Sequence, residues 1–168
     1  KDVPNAFCIL AFVYNLFPNM KPHSLTHAYF MNIAYQQALI AGQNKEIPVG
    51  AVVVADGQLI AKTHNQTEQL KDVTAHAEIL AITAATHFLG AKYLKRCTMY
   101  VTLEPCTMCA GALYWAQIGT LVYAADDPDR GFSSKASPIL HPKTKVVKGI
   151  LAEPCQQLLQ NFFKSLRN

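Results

Sequence analysis

Apolar residues along this chain follow two spacings, and the switches between them mark out its elements. Tyr29, Phe30, Ile33, Ala34, Ala38 and Ala41 recur three and four apart, which is one face of a helix. Ser24 or Thr26 is placed to cap it, and Gly42 to end it near Ala41. Val49 to Ala55 is a β-branched run and Gln58 to Thr63 a second one; Asp56-Gly57 between them predicts a tight hairpin. A polar stretch from His64 to Asp72 leads to Thr74, an expected N-cap for a helix from Ala75 to about His87. After a loop over Gly90–Arg96, Thr98 to Leu103 reads as a buried strand. Pro105 stops it and suits the first turn of a helix from Cys106 to about Gln117. Thr120 to Ala124 is a further strand. The turn-rich Asp126-Asp-Pro-Asp-Arg-Gly131 and a Ser-rich loop follow, then a strand near Val146–Leu151 and a helix from Glu153 to about Leu166. This alternation predicts an α/β architecture, a mixed sheet with helices on its faces.

Composition narrows the class. The chain has 168 residues, 51% hydrophobic and 15% charged, enough for one globular domain with a proper core. No internal repeat and no linker divides it. Met20 opens a sensible start, so residues 1–19 are expected to lie outside the domain as an N-terminal extension, and 20–168 to form it. Net charge is +4, and it is uneven: from Pro128 onward seven Lys or Arg face two acids. A basic end suits a phosphate-bearing partner, and equally a solvated helix face or a lysine-rich strand edge. Five cysteines, an odd number with one tight pair, argue against a secreted disulfide framework and for the reducing cytoplasm. No apolar run is long enough to cross a membrane, so no membrane partner is expected.

The candidate chemistry lies in His76-Ala77-Glu78 and Pro105-Cys106-Thr107-Met108-Cys109. A catalytic zinc takes three protein ligands and leaves the fourth position to water. His76, Cys106 and Cys109 supply one imidazole nitrogen and two sulfurs, and the start of a helix favours the thiolate form. Glu78, two residues past a ligand, is then free to move protons. A Cys-x-x-Cys alone also suits a redox pair or half of a structural metal site, with Cys97 and Cys155 as possible fourth ligands. Iron in the same ligand set is the alternative to zinc.

At these residues the chain resembles the cytidine and deoxycytidylate deaminase superfamily, and most closely its tRNA adenosine deaminase branch. The resemblance runs from about Tyr29 to Leu166. It rests on Thr74-Ala-His-Ala-Glu-Ile-Leu-Ala81, Thr102-Leu-Glu-Pro-Cys-Thr-Met-Cys-Ala-Gly-Ala112, Ile47-Pro-Val-Gly-Ala-Val-Val53 and His64-Asn65. It implies a three-layer α/β/α sandwich with a mixed five-stranded sheet, cytidine deaminase-like, one Zn2+ per subunit and a homodimer. The implied reaction is deamination of adenosine to inosine at the wobble position of a tRNA anticodon stem-loop. Carried over by position, Asn65 hydrogen-bonds the target base, Ile47 and the backbone of Ala77 line the pocket, and Glu104 keeps an acid before the metal helix. Asp127 helps hold the anticodon loop, and Phe162-Phe163 lie beside the RNA.

Local reasoning offers plainer roles for several of these. Asn65 could simply end a strand and Asp127 sit in a turn. Phe162 and Phe163 could be core, and as neighbours on a helix they cannot face the same way. Asp126 puts a second acid near the expected RNA, and the last helix holds only Lys164 and Arg167 as basic groups. Three other functions share parts of the pattern: a free-base or nucleoside deaminase acting on guanine or cytosine, a non-catalytic RNA-binding subunit with a structural metal, and a cysteine redox protein.

Overall fold

The computed structural model describes residues 26–167. The expected extension over residues 1–19 and the alternative cap Ser24 lie outside the described residues. Helix α1 (His27–Gln43) leads to the hairpin β1 (Gly50–Ala55) and β2 (Gln58–His64), then a single helical turn α2 (Thr67–Leu70) and α3 (Ala77–Leu89). The chain continues through β3 (Cys97–Leu103), α4 (Thr107–Ala116), β4 (Thr120–Ala125), a 3-10 turn at Phe132–Ser134, β5 (Lys145–Lys148) and α5 (Ala152–Ser165). The strands form one sheet in the order β2-β1-β3-β4-β5. β1 runs antiparallel to β2 and β3, while β3, β4 and β5 run parallel.

The layers follow from how side chains alternate across the strands. Ala51, Val53, Met99, Val101, Leu121 and Tyr123 face α3 and α4, meeting Ala77, Ala81, Ala85 and Leu113. Val52, Val54, Tyr100, Val122 and Ala124 point the other way, onto Phe30, Met31 and Ala34 of α1 and Cys155 of α5. Both faces of β1 and β4 are covered, so their sequences are continuous apolar runs instead of alternating ones. The result is the expected three-layer sandwich.

Most expected elements occur, with displaced ends. Thr26 does cap α1, its Oγ1 accepting from Tyr29 N at 3.4 Å, but the helix runs past Gly42 to a C-cap at Asn44. At the hairpin tip Asp56 and Gly57 both take positive φ, 50° and 79°, the conformation that a two-residue turn between right-twisted strands requires. Strand β5 stops at Lys148 instead of Leu151: Gly149 and Leu151 have φ of 91° and 58°, which turn the chain off the sheet into α5. The single turn α2 falls in the stretch expected to be loop.

Helices α3 and α4 start later than their sequences suggest. The N-cap of α3 is His76, not Thr74, whose N–H and hydroxyl are tied to Asp72 Oδ1 at 2.8 and 2.7 Å. Cys106 is the N-cap of α4, so Pro105 stands just before the helix and not in its first turn.

Candidate active site

The sheet's topology decides where the site forms. The carboxyl ends of parallel β3 and β4, the start of β1 and the end of antiparallel β2 share one edge. Leu103-Glu104-Pro105-Cys106, Ala125-Asp126-Asp127, Ile47-Pro48-Val49 and Asn65 therefore converge, as ligand sites do at strand ends in α/β sheets. Between them lies a cavity of about 120 Å³, lined by Ile47, Asn65, Thr67, His76, Glu78, Glu104, Cys106, Asp127 and Arg130 among others.

The two N-caps carry the chemistry. A helix start usually has Ser, Thr, Asp or Asn to accept from its orphan N–H groups. His76 and Cys106 hold those positions here, and neither makes a side-chain cap bond. Their side chains are instead turned on each other. His76 Nδ1 lies 3.5 Å from Cys109 Sγ and 3.8 Å from Cys106 Sγ, and the three ligand atoms are all within 4.8 Å of one another. A tetrahedral ion with bonds of about 2.0–2.3 Å sets neighbouring ligands roughly 3.5 Å apart, so the residues present fit such an ion with little movement. The partial positive charges of both helix starts point at the same place.

The thiols are primed for a metal. Contact with the Cys109 thiol, and with the His76 ring, holds the Cys106 thiol down at about 3 despite burial. Contact with the Cys106 thiol, with burial, pushes the Cys109 thiol up. Cys97 and Cys155 join no metal-ligating group among the described residues. Cys155 packs in the opposite layer, and Cys97 starts β3 at the end away from the site. Among the described residues no fourth cysteine closes the site.

Glu78 is 4% exposed and lines the same cavity. Burial pushes its carboxyl up, against the opposing pull of its own backbone N–H and of His76. Ala77, expected to line the pocket, is fully buried with its methyl in the core and is not among the residues that line the cavity. Its carbonyl accepts from Thr63 Oγ1 at 2.7 Å, which ties the start of α3 to β2. Its N–H is one of the orphan donors of the helix start.

Three other expected residues, Ile47, Asn65 and Asp127, line the cavity as well. Asp127 is also a turn residue: its Oδ1 accepts from Asp129 N at 3.2 Å and Arg130 N at 3.0 Å. Asp126 is neutralised across the sheet by Lys148, at 3.4 Å. Phe162 and Phe163 are not among the cavity's lining. They pack edge to face on α5, 5.5 Å between centroids, with Phe163 exposed.

Two buried acids have roles the sequence did not disclose. Glu104, 3% exposed, accepts from Asp127 N at 3.0 Å and Ser133 N at 2.8 Å. It thereby clamps the loop after β4 over Cys106, helped by a β-bridge between Cys106 and Gly131 and by Phe132 N donating to Pro105 O at 3.0 Å. A Cβ at Gly131 would collide with the Glu104 carboxylate, so glycine permits the clamp. Glu46, 1% exposed, lies behind Asn65 and Thr67 and bonds both. No spacing or motif marks a lone acid in a connection as buried. Thr67, in a single helical turn, and Arg130, in an irregular loop, are cavity residues that no spacing or motif marks.

The description MafB19-like deaminase matches residues 25–167. The chain is similar to the tRNA-specific adenosine deaminase of Aquifex aeolicus, 43% identical over 83% of this chain and 95% of that protein. A solved structure from work on A-to-I editing by tRNA:A34 deaminases at the wobble position of transfer RNA is 42% identical. It superposes with a TM-score of 0.74 over 78% of this chain and 99% of its own. The guanine deaminase of Bacillus subtilis is 39% identical, with a TM-score of 0.60, over 68% of this chain and 71% of that one.

Proposed function

Since the chain belongs to the MafB19-like deaminase family, we propose that it converts adenosine to inosine at the wobble position of tRNA, with zinc held by His76, Cys106 and Cys109. The observation that carries the chemistry is the buried Glu78 carboxyl opening on the cavity that His76 and Cys106 also line. A structural metal or a redox pair has no use for such a group. When bound, zinc supplies a Lewis acid that makes water nucleophilic at neutral pH. Glu78 would take a proton from the attacking water and give it to the purine ring nitrogen. It would then take the second proton from the new hydroxyl on the ring carbon and pass it to the amine, which leaves as ammonia while the carbonyl forms. Its upward shift is the direction an acid needs if it is to give the proton back as well as take it.

Asn65 hydrogen-bonds the target base, Ile47 packs on its face, and the Ala77 N–H meets its edge. Asp127 and Arg130, at the cavity's mouth, hold the neighbouring nucleotides, and Phe162 with Phe163 borders the stem-loop. An anticodon loop already presents splayed bases, so seating one costs less than extracting it from a duplex. The seven basic residues after Pro128 support a phosphate-bearing substrate. The relatives' names support this one.

Two further assignments belong to the same reading. A homodimer is supported by the apolar surface of adjacent α3 and α4, where Phe88 is 64% exposed and Trp115 78%. That the four cysteines among the described residues are all free supports a cytoplasmic location.

The similarity to a guanine deaminase keeps a free-base reading beside this one. The zinc-loaded protein, incubated with an adenosine-34 stem-loop and separately with guanine, cytosine, adenosine and cytidine, distinguishes them. Inosine in the stem-loop, absent with Glu78→Ala, is the expected result. Turnover of a free base alone refutes the RNA assignment, and silence in every tube refutes the enzyme.

A further inference from the structure

Asn65 is a side chain whose two ends differ in kind: –NH2 donates and C=O accepts. A free amide offers a base edge either one. Here it is not free. Asn65 Nδ2 donates to Glu46 Oε2 at 3.1 Å and to Thr67 Oγ1 at 3.1 Å. An ionised carboxylate can only accept, so Glu46 admits one orientation of the amide and excludes its 180° flip. Thr67 is locked by the same oxygen, giving its hydrogen to Glu46 Oε2 at 3.2 Å and its lone pair to Asn65. Glu46 is itself held by Gln69 N at 2.8 Å and Glu68 N at 3.2 Å. It takes no place in the cavity wall, whereas Asn65 and Thr67 both do.

We propose that Glu46 is a positioning residue for the reaction: from behind the pocket it fixes which end of the Asn65 amide meets the target base, and so which base edge the site accepts. This rests on the reading of Asn65 as the base contact. Thr67 serves as the second anchor. The same carboxylate also caps α2, so α2, Asn65 and the pocket wall are set by one buried acid.

Glu46→Gln tests the assignment, because glutamine keeps the shape while offering Asn65 a donor as readily as an acceptor. Its amide can then turn over. With the adenosine-34 stem-loop, kcat/KM is expected to fall about 10- to 100-fold, the scale of a misplaced contact, with bound zinc unchanged. In an Asn65→Ala background the same substitution is expected to add nothing, whereas a purely structural Glu46 would lower activity by the same factor in both. The side-chain amide resonances of Asn65 give a readout free of substrate. They are expected to be shifted and slow to exchange in the wild type, and to move in Glu46→Gln. Thr67→Val, which leaves the carboxylate in place, is expected to produce a smaller loss of the same kind. Unchanged Asn65 resonances, or additive losses in the cycle, would overturn the proposal. A wild type inactive on the stem-loop instead sinks the substrate reading beneath it.

Discussion

Glu104→Gln tests whether the loop after β4 is held as the geometry indicates. The native carboxylate accepts from two backbone N–H groups, Asp127 at 3.0 Å and Ser133 at 2.8 Å, in a place 3% exposed. Glutamine keeps one accepting oxygen and turns an –NH2 on the other donor. One buried N–H is then unsatisfied and faces a second donor. A donor left so costs about 1–3 kcal/mol, and the exchange of a charge-assisted bond for a neutral one adds to it. For a chain of this size that lowers Tm by roughly 2–12 °C if the whole cost reaches the global transition. The loop can also yield locally, in which case Tm moves less and the loop moves more. Amide hydrogen exchange separates these outcomes, since protection at Asp127 and Ser133 must fall while that of the β1 and β3 amides stays. The stem-loop activity should drop with it, because Asp127 and Arg130 ride on this segment. Native protection at both amides in a folded Glu104→Gln protein would refute the clamp.

Replacing Glu78 by Gln is expected to cost about 10²- to 10⁴-fold in kcat with zinc still bound, checked by single-turnover kinetics beside metal analysis. Chelation should remove one zinc per chain and lower Tm, and Cys109→Ser should weaken metal retention in the same titration. For Glu46, burial alone would raise the carboxyl, but the bonds from Gln69, Glu68, Thr67 and Asn65 outweigh it and the net shift is downward. Its stabilisation is therefore present above the ordinary carboxylate value and lost as pH falls through the lowered one. Unfolding monitored from pH 7 into the acid range should show that slope reduced in Glu46→Gln. Breaking the exposed Lys148–Asp126 pair with Lys148→Ala should change stability by less than about 1 kcal/mol in denaturant titration.

What could be read in the sequence was whatever follows from periodicity and turn chemistry. The valines of β1, the Asp56-Gly57 tip and the alternation of strands with helices are local signals that agree with the fold, and the three layers follow from them. The metal triad was legible because each ligand is a rare residue type at a fixed offset. Glu46 and Glu104 were not, since an acid is a poor candidate for burial until its donors are known. Those donors are backbone N–H groups and side chains drawn from loops 19 to 29 residues away. The ends of the elements failed for a related reason. Thr74 is the better N-cap by propensity, yet its hydroxyl is engaged by Asp72.

The misplaced helix starts and the active site are one phenomenon. A helix capped by Ser or Thr spends its N-terminal donors on its own side chain and has little left for a ligand. At α3 and α4 the caps are His76 and Cys106, neither of which makes a side-chain cap bond, and both side chains turn outward to each other. The cost, of the order of 1 kcal/mol for each missing cap, is tolerated because the Glu104 clamp holds the start of α4 and Thr63 Oγ1, donating to Ala77 O, holds that of α3. Sequence rules that optimise each helix alone break at these two positions. The two helix starts bring their partial positive charges to one place, where the His76 ring and the Cys106 and Cys109 sulfurs lie within 4.8 Å of one another. Because the side chains of His76 and Cys106 meet at 3.8 Å, a Cys106→Ala protein should lose order at both helix starts, seen as faster amide hydrogen exchange at Ala77 and Glu78 as well as at Thr107 and Met108.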